Sequence, residues 1–589
     1  MKKNKTKNRR PYAEELAAEV EADFLARREE RRRLERQWEL NLNFLAGRQY
    51  MDVSARGELV EDGKAFFWQN RGVFNHIAPI VELRLAKLGK INPVLTVRAQ
   101  GGGDDEVSGA KRSEKLLRAL ADRLELKKLT AEATAWSETC GTAFYKVTWD
   151  GCADEARVSV VSPFEIYPDN LGADGLEEVK SLICARVADA GEVCETYKKR
   201  VAGGEVEVFS AGGKAVAKNA VTLIERYERP CGEFPDGRLL IAAAGVLLYA
   251  GDLPYVNGEN GARVFPFVRQ ASMETTGSFF AQSVIERLIP VQRAFNAVKN
   301  RKHEFLNRLS MGVMNVEDGS LDAEELAEDG LSPGKILVYR QGAKPPEMLD
   351  MAGIPADFKE EEQNLLNEFT VISGVSDVAS SSANATVSSG TALEILIEQD
   401  NERMTVVAER IRTAYRKVAV QLMRLYKQFV AGVKAVRDGT ETGKISVEYV
   451  AGAEISDDVA IENENELLYG ETKKKQMLLE MYESGILTDA DGNLRAETKE
   501  KVLSLLGYGE LAGDRGLSSL HSQKAKSENA ALARKELSVD GYDDHKIHAE
   551  EHIRYVLGED GSLDARAKSN FEKHIAEHKK RLQGAGGNN

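Results

Sequence analysis

Five of the eight histidines lie near the C-terminus at spacings that could bind a metal ion. On helices, residues three, four or seven apart share a face, and imidazole nitrogens in such an array can ligate Zn²⁺. These five are His545, His548, His552, His574 and His578. No cysteine accompanies them, and lysine and glutamate crowd the same faces. The pattern therefore favours solvated histidines, or histidines that pack between two helices, and we predict no metal site.

Nucleotide chemistry would require a phosphate-binding loop, and the nearest segment lacks two of its features. Gly330 and Gly334 are separated by three residues instead of four, and Ile336 stands where serine or threonine is needed. No signature of a serine hydrolase, a zinc protease or a cysteine–histidine enzyme is present. We predict that the chain is not an enzyme, has no catalytic residues and needs no cofactor.

Length and composition indicate a soluble protein with several structural units. The 589 residues exceed what one core normally holds, and the 30% of charged residues suits long solvated helices. No uninterrupted apolar run approaches the roughly 18 residues that a membrane span needs. The basic start lacks the apolar segment of a secretory signal, so we expect synthesis in the cytoplasm. The five cysteines form no CxxC pair, and we expect reduced thiols.

The periodicity of apolar residues predicts an α+β fold. Helices are expected over residues 12–47, 75–92 and 107–139, with a strand directly after Pro93. Residues 140–270 instead contain short β-rich runs between turn residues, which indicates an antiparallel sheet. Expected strands within this part are Ala143–Trp149, Val158–Val161, Val221–Tyr227 and Leu239–Tyr249.

The second half of the chain is predicted to be mainly helical. Residues 277–310 read as helical, with Pro290 causing either a kink or a boundary between two helices. An insert follows, with strand signals at Met311–Val316 and Ile336–Tyr339, and then a helix over 355–374. Thr391 and Glu394 form a capping box that starts a long helix with apolar residues at alternating intervals of three and four. Lys444–Val450 reads as a strand, and a charged helical region begins near residue 458.

Charge is divided between the two helical segments that flank the insert. Residues 283–310 carry six basic residues against two acidic ones, whereas residues 355–375 carry five acidic residues against one lysine. The helices could therefore complement each other within or between subunits. Alternatively, or in addition, some basic side chains could face the phosphates of DNA. The candidates for that role are Arg287, Arg293, Lys299, Arg301, Lys302 and Arg308.

A serine-rich loop at residues 376–390 separates two of the predicted helices. It contains six serines and a single charged residue. A flexible linker would have this composition, but a loop of this length inside a compact unit is more often functional. Its small uncharged side chains would contact a duplex weakly and reversibly, as a sliding contact requires. The polar residues concerned are Ser380, Ser381, Ser382, Asn384, Thr386, Ser388 and Ser389.

The order of these elements resembles the portal proteins of tailed bacteriophages. The resemblance covers roughly residues 35–455 and is strongest in the sequence GSFFAQSVIERLIPVQRAFNAVKN at 277–300. Further similar segments are WELNLNFLAGRQY (38–50), NHIAPIVELRLAKLGKINPVLTVRA (75–99) and SPFEIYPD (162–169). Each segment alone is a weak signal, whereas their order and spacing together are specific.

This resemblance implies a portal fold made of a wing with helices and antiparallel β structure, a helical stem, a small α/β clip and a helical crown. The corresponding segments are a charged N-terminal helical arm (1–37), the first part of the wing (38–276), a first stem helix (277–310), the clip (311–354), a second stem helix (355–375), a tunnel loop (376–390), the second part of the wing with the long helix and a return strand (391–456), and the crown with the C-terminal tail (457–589).

The resemblance also implies a ring of identical subunits, typically twelve, at one capsid vertex of the virion, assembled in the host cytoplasm. Double-stranded DNA would pass through the ring during packaging and ejection. The terminase large subunit and later a head-to-tail adaptor would dock on the clip, and the major capsid and scaffold proteins would surround the ring. The expected docking residues of the clip are Glu317, Asp318, Asp322, Glu324, Glu325, Glu328, Asp329 and Arg340.

The net charge of −14 fits a conduit better than a tight duplex binder. Neutralising phosphates dominates the affinity of duplex binders, which are therefore basic, whereas DNA must slide past the wall of a conduit. The alternative is a DNA-binding factor that acts as a monomer or dimer, but no basic patch with interleaved aromatic residues supports it. A coiled-coil scaffold is disfavoured because only residues 391–430 sustain the required pattern.

Overall fold

The computed structural model describes most of the chain up to residue 461 and two helices near its end. The described residues are 9–54, 56, 58–61, 63, 71–91, 93–98, 104–210, 213–311, 313–321, 336–349, 357–375, 390–430, 433–439, 445–451, 455–461, 480, 481, 483, 484, 521, 524, 525, 528, 529, 532, 535–558 and 565–585. They fall into two compact units. Unit 1 comprises 1–100, 109–438 and 446–468, and unit 2 comprises 101–108, 439–445 and 469–589.

The helices of the described residues range from one short connector to a rod of 40 residues. They are α1 (Arg9–Leu45), α2 (Ile77–Leu88), α3 (Asp104–Arg123), α4 (Leu126–Cys140), α5 (Ala190–Tyr197), α6 (Val284–Met311), α7 (Asp357–Ser373), α8 (Gly390–Phe429), α9 (His545–Gly558) and α10 (Ala565–Ala585). Among them, none is both long and apolar enough to cross a membrane.

Most strands are short, and the pairings whose register is described are antiparallel. They are β1 (Met51–Val53), β2 (Leu59–Glu61), β3 (Leu95–Val97), β4 (Thr142–Asp150), β5 (Glu155–Val161), β6 (Ile166–Pro168), β7 (Ser181–Asp189), β8 (Gly204–Ser210), β9 (Gly213–Glu228), β10 (Arg238–Ala243), β11 (Val246–Gly251), β12 (Phe267–Ala271), β13 (Val313–Asn315), β14 (Glu347–Leu349), β15 (Val433–Gly439), β16 (Ile445–Ala451) and β17 (Val459–Ile461). Together with the helices they confirm the predicted α+β class.

Two sheets form the β-rich part of unit 1. A six-stranded sheet has the order β11-β10-β9-β7-β6, with β8 paired to β9, and a three-stranded sheet has the order β12-β4-β5. The predicted strand Leu239–Tyr249 is wrong as a single element, because it divides into β10 and β11. Ala244 and Gly245 both adopt positive φ, 46° and 73°, and this tight turn lets the two strands pair directly.

The six-stranded sheet is covered by α1. Val20 and Phe24 on this helix pack with Ile183 and Leu240 of the sheet. Arg31 is 1% exposed, and its guanidinium lies 3.6 Å from the centre of the Tyr167 ring. The same guanidinium donates hydrogen bonds to backbone carbonyls, including those of Pro163 at 2.7 Å and Phe164 at 2.8 Å. A charge can be buried here because these carbonyls replace its water.

Two helix predictions need correction. The single helix expected over 107–139 is interrupted at Glu125, which adopts a left-handed φ of 49°, so α3 and α4 are separate. This break lets both Leu120 and Leu126 enter the same apolar core. The helix expected from residue 277 begins only at Val284 and runs through Pro290 as one element, so the boundary between two helices proposed at that proline is wrong.

Other sequence predictions are confirmed. The long helix with alternating spacings is α8, and the helix expected over residues 12–47 corresponds to α1. All five cysteines are free thiols, with Cys140 and Cys184 buried. Burial raises the pKa of the Cys184 thiol to about 12, so this thiol stays protonated.

Candidate functional site

The helices on either side of the predicted clip, α6 and α7, pack through an apolar seam. Leu288 and Phe295 of α6 are buried in one core with Leu365 and Phe369 of α7. The rings of Phe295 and Phe369 meet edge to face with centroids 6.0 Å apart. Because these residues recur at helical intervals, one face of each helix packs in this apolar contact. Polar and charged residues can therefore lie on the other faces of the two helices.

Three amides on another face of α6 hold an extended backbone segment in place. Gln292 Nε2 donates to the carbonyl of Phe74 at 2.7 Å, and the N–H of Phe74 donates to Asn296 Oδ1 at 3.0 Å. Asn300 both accepts from the N–H of Gly72 and donates to its carbonyl, each at 2.9 Å. All three amides are buried. We did not predict this ladder, the row formed by Gln292, Asn296 and Asn300, from the sequence. An amide side chain at every fourth position of an amphipathic helix was the pattern that could have indicated it.

Two of the six residues predicted as DNA-facing candidates join the helix pair. Lys299 and Lys302 both form ion pairs with Glu362 of α7, and the Lys302 Nζ lies 2.8 Å from Glu362 Oε2. Burial alone would raise the pKa of the Glu362 carboxyl, but hydrogen bonds and charge from the two lysines outweigh it and lower the pKa. The predicted complementarity of the two helices is therefore realised within one chain at this position.

A third member of the set, Arg293, anchors α6 to the β1 strand. Its guanidinium lies 3.0 Å from Asp52 Oδ1 and donates to the carbonyl of Met51 at 2.9 Å. It also approaches the ring of Phe44, with 5.4 Å to the centroid. Burial opposes ionisation of Asp52, yet the hydrogen bond from Arg293 holds its pKa below the usual range. Arg293 thus stabilises the fold.

Arg287 and Arg301 are the members of the set whose exposed side chains are described. Arg287 Nε donates to Gln282 Oε1 at 3.2 Å, and Arg301 is exposed about one turn beyond the middle of the helix. Intervals of three and four residues place them on one exposed stripe, with Ala294 and Ala297 between them. Small residues let another surface approach the helix closely, and the two arginines lie on either side of these alanines along the stripe. The side chain of Arg308 lies outside the described residues.

The exposed surface of α7 has the opposite charge. Its outward-facing acids are Asp357, Glu360, Glu361 and Glu368, against the exposed Lys359. The exposed stripe of α6 is therefore cationic, whereas the exposed surface of α7 is anionic.

The described parts of the predicted clip combine charge with exposed apolar residues. Strands β13 and β14 pair, and Glu317 Oε2 accepts a hydrogen bond from the N–H of Lys344 at 2.8 Å. Asp318 and Arg340 are exposed. The strand expected at Ile336–Tyr339 is absent in the described residues, and its Ile336 and Val338 are 85% and 81% exposed. Neighbouring exposed apolar residues of this kind are typical of a protein contact surface.

Several predicted positions lie outside the described residues. They are the clip residues Asp322, Glu324, Glu325, Glu328 and Asp329 and all of the named tunnel-loop residues, namely Ser380, Ser381, Ser382, Asn384, Thr386, Ser388 and Ser389. Their roles stay predictions. The flanking elements α7 and α8 do bracket this loop as expected.

A polar cleft of about 1590 Å³ runs along α8. Several of its cations are paired with acids from other parts of unit 1. Lys417 Nζ lies 3.0 Å from Glu177 Oε1, and Arg424 Nε lies 2.7 Å from Asp457 Oδ2. Burial raises the pKa of the Asp457 carboxyl, but the hydrogen bond from Arg424 outweighs it and lowers the pKa. These ion pairs connect the elements that form the walls of the cleft.

Comparison with known proteins adds one finding to this geometry. No curated protein matches the chain. One family model does match, over the part of the chain that runs from strand β10 through β12, α6, α7 and α8 to just beyond β17. Residues 236–467 match the family model described as the Phage P22-like portal protein, so the similarity to tailed-phage portal proteins predicted from the sequence is confirmed.

Proposed function

We propose that this chain is the portal subunit of a tailed phage, forming a ring, typically of twelve copies, at one capsid vertex. The family match over residues 236–467 carries this proposal. Double-stranded DNA passes through the ring during packaging and again during ejection. The subunit is a structural protein of the virion without catalytic residues or a cofactor, and the ring assembles in the host cytoplasm.

The α6–α7 pair serves as the stem in this proposal. Lys299 and Lys302 stabilise it through Glu362, and Arg293 ties it to β1. Arg287 and Arg301 are then the residues of α6 best suited to meet DNA, because their side chains are exposed. A few cations on an otherwise acidic wall attract phosphates without holding the duplex firmly.

The segment between the stem helices is the proposed docking platform. The exposed Ile336 and Val338 supply the apolar part of a contact, and Glu317, Asp318 and Arg340 supply the charges that select a partner. The terminase large subunit binds there during packaging, and a head-to-tail adaptor replaces it. The serine-rich loop at 376–390 contacts the DNA, and the major capsid and scaffold proteins surround the ring.

Particle mass and negative-stain images of the purified full-length chain test this function. A ring with a central hole and a mass near that of twelve subunits is the expected result. A stable monomer or dimer at high concentration, even when the scaffold protein is added, would contradict it and favour the monomeric or dimeric DNA-binding factor.

The DNA-facing role is tested separately by charge reversal in packaging particles. Arg301→Glu is expected to reduce the DNA packaged per capsid while rings still form. Arg123→Glu, which changes an exposed arginine on α3, is the matched control. Equal amounts of packaged DNA in both variants and in the unmodified chain would contradict a DNA-facing role for Arg301.

A further inference from the structure

Unit 2 buries a cluster of histidines between α9 and α10. His548 and His552 lie one turn apart on α9, and His574 and His578 lie one turn apart on α10. All four are at most 2% exposed. The rings crowd together, with centroids 4.7 Å apart for His574 and His578 and 4.9 Å apart for His552 and His574. The prediction of solvated histidines is therefore wrong for these four residues, whereas packing between helices is observed.

The orientation of three rings is fixed by oxygen acceptors. His548 Nδ1 lies 3.1 Å from Glu528 Oε2, and His552 Nδ1 lies 2.6 Å from Asn529 Oδ1. His574 Nδ1 lies 3.0 Å from the carbonyl oxygen of Leu537. Because each of these oxygens accepts, each Nδ1 carries the proton, and each neutral ring presents a lone pair at Nε2. Metal-bound histidines are usually held in this way, by a carboxylate or carbonyl on the other nitrogen.

The free nitrogens converge inside the cluster. The Nε2 atoms of His574 and His578 are 3.2 Å apart. One ring nitrogen from each of His548, His552 and His578 lies within 4.8 Å of the others. The Nε2 atoms of His548 and His552 are buried and have no hydrogen-bond partner among the described residues. His574 offers a ligand atom within the same distance of His552 and Glu528. A buried nitrogen without a partner is costly, and converging nitrogens of this kind indicate a shared electrophile.

The spacing and ligand type fit one class of ion. Around tetrahedral Zn²⁺, with Zn–N bonds of about 2.0–2.1 Å, two ligand nitrogens lie roughly 3.3 Å apart. The observed separation between His574 and His578 is 3.2 Å. Imidazole suits zinc and related transition metals, whereas Ca²⁺ and Mg²⁺ prefer oxygen ligands.

We propose that unit 2 binds one Zn²⁺ ion per subunit through the Nε2 atoms of His548, His552, His574 and His578. Four protein ligands leave no open position, so the site is structural and not catalytic. The ion joins α9 to α10, and through Glu528, Asn529 and Leu537 it also joins both helices to the preceding segment. The proposal departs from the expectation, drawn from the sequence, that the histidines form no metal site.

One proton must change its place on His578. Its Nδ1 lies 3.0 Å from His545 Nδ1, and its Nε2 faces His574 Nε2. Without a metal ion, His578 Nε2–H donates to His574, and its Nδ1 accepts from His545. On metal binding, the His578 proton moves from Nε2 to Nδ1 and the His545 proton moves from Nδ1 to Nε2. His578 Nδ1–H then donates to His545 Nδ1, and His578 Nε2 is free for the ion. His545 accordingly acts as a positioning residue.

Metal titration of the full-length chain tests the site. After removal of metal with a chelator, the protein is titrated with Zn²⁺ against a chromogenic chelator, and separately with Co²⁺ while visible spectra are recorded. We expect one Zn²⁺ per subunit and the intense visible bands of tetrahedral Co²⁺. Absence of both from the unmodified chain, with its helical circular dichroism intact, would overturn the proposal and leave a packing cluster.

Matched variants locate the ion. His552→Gln and His578→Gln are expected to lower zinc affinity by well over tenfold, whereas His303→Gln, which changes an exposed histidine on α6, leaves it unchanged. Asn529→Ala should lower affinity roughly 10–100-fold, and Asn529→Asp, which keeps the oxygen acceptor, should restore it. If the variant that carries both His552→Gln and His578→Gln still binds one Zn²⁺ per subunit with unchanged affinity, the ion binds elsewhere and the assignment is wrong.

Discussion

Buried polar groups are satisfied in different ways around α6 and between α9 and α10. In unit 1, Asn296 and Asn300 bond to backbone and side-chain atoms of the same chain, and the buried Arg84 pairs with Glu138 at 2.5 Å. Between α9 and α10, by contrast, nitrogens of His548 and His552 have no such partner among the described residues. The first arrangement fixes the backbone by itself, whereas the second is completed by a ligand.

This contrast separates buried polarity that serves the fold from buried polarity that serves binding. Burial alone does not distinguish the two, since both groups of side chains are almost fully enclosed. The distinction lies in whether each donor and acceptor already has its partner. Four experiments test it, beginning with the largest expected effect.

Removing one half of the buried ion pair should cause the largest loss of stability. Glu138 accepts from Arg84 and also from the Ser272 hydroxyl at 2.6 Å. Glu138→Ala leaves the guanidinium buried and unpaired, so the free energy of unfolding should fall by about 3–5 kcal/mol. Urea unfolding of the purified chain measures the loss.

The matched control for that loss is an exposed pair in the same unit. Arg123 and Glu155 form an ion pair with side chains 43% and 41% exposed. Glu155→Ala should change the free energy of unfolding by less than about 1 kcal/mol. Equal losses in the two variants would mean that burial does not determine the importance of an ion pair here.

Zinc should stabilise α9 and α10 and leave α6 unaffected. If the ion binds only the folded unit, a free concentration a hundred times its Kd adds about 2.7 kcal/mol of stability. Hydrogen exchange should therefore slow for amides of α9 and α10 when Zn²⁺ is added, while amides of α6 exchange as before. If Zn²⁺ slows hydrogen exchange in α6 as well as in α9 and α10, its stabilising effect is not specific to the histidine cluster.

Truncating one rung of the amide ladder should have an intermediate effect. Asn296→Ala leaves the N–H of Phe74 without its acceptor and removes a 2.7 Å bond to Gln49 Oε1. The expected loss in the free energy of unfolding is about 1–3 kcal/mol. Asn307→Ala, on the exposed side of the same helix, should stay within about 0.5 kcal/mol of the unmodified chain. A larger loss at Asn307 than at Asn296 would contradict the ladder.

The partly exposed pairs of Glu362 should give the smallest effect, and one that depends on pH. The pKa of Glu362 is lowered in the folded chain because Lys299 and Lys302 outweigh burial. Its contribution is therefore present above the unfolded pKa of about 4.3 and is lost as pH falls through the folded pKa. Glu362→Gln should reduce stability near pH 7 by less than about 1 kcal/mol, and the difference should vanish once the pH falls below the lowered pKa of the folded chain. A difference that grows on acidification would reverse the assigned sign.

Much of the fold could be predicted from local patterns. Apolar residues at alternating intervals of three and four predicted α8, because such spacing keeps one face of a helix buried over its whole length. The division of charge between residues 283–310 and 355–375 predicted that two helices would attract each other, and Glu362 meets two lysines as expected. The spacing of the C-terminal histidines likewise predicted that each group would share a face.

Tertiary structure alone decided which of these residues act together. Glu125 interrupts a helix although no glycine or proline marks the position, because Leu120 and Leu126 are drawn into one core. Arg293 is tied to Asp52, which lies more than two hundred residues earlier in the chain, whereas Arg301 on the same helix stays exposed. Local periodicity determines which face a side chain lies on, but its burial and its partner depend on contacts between distant segments. For the same reason, the sequence determined that His548 and His552 would be neighbours, and only the packing of Glu528 and Asn529 against them turned their free nitrogens inward.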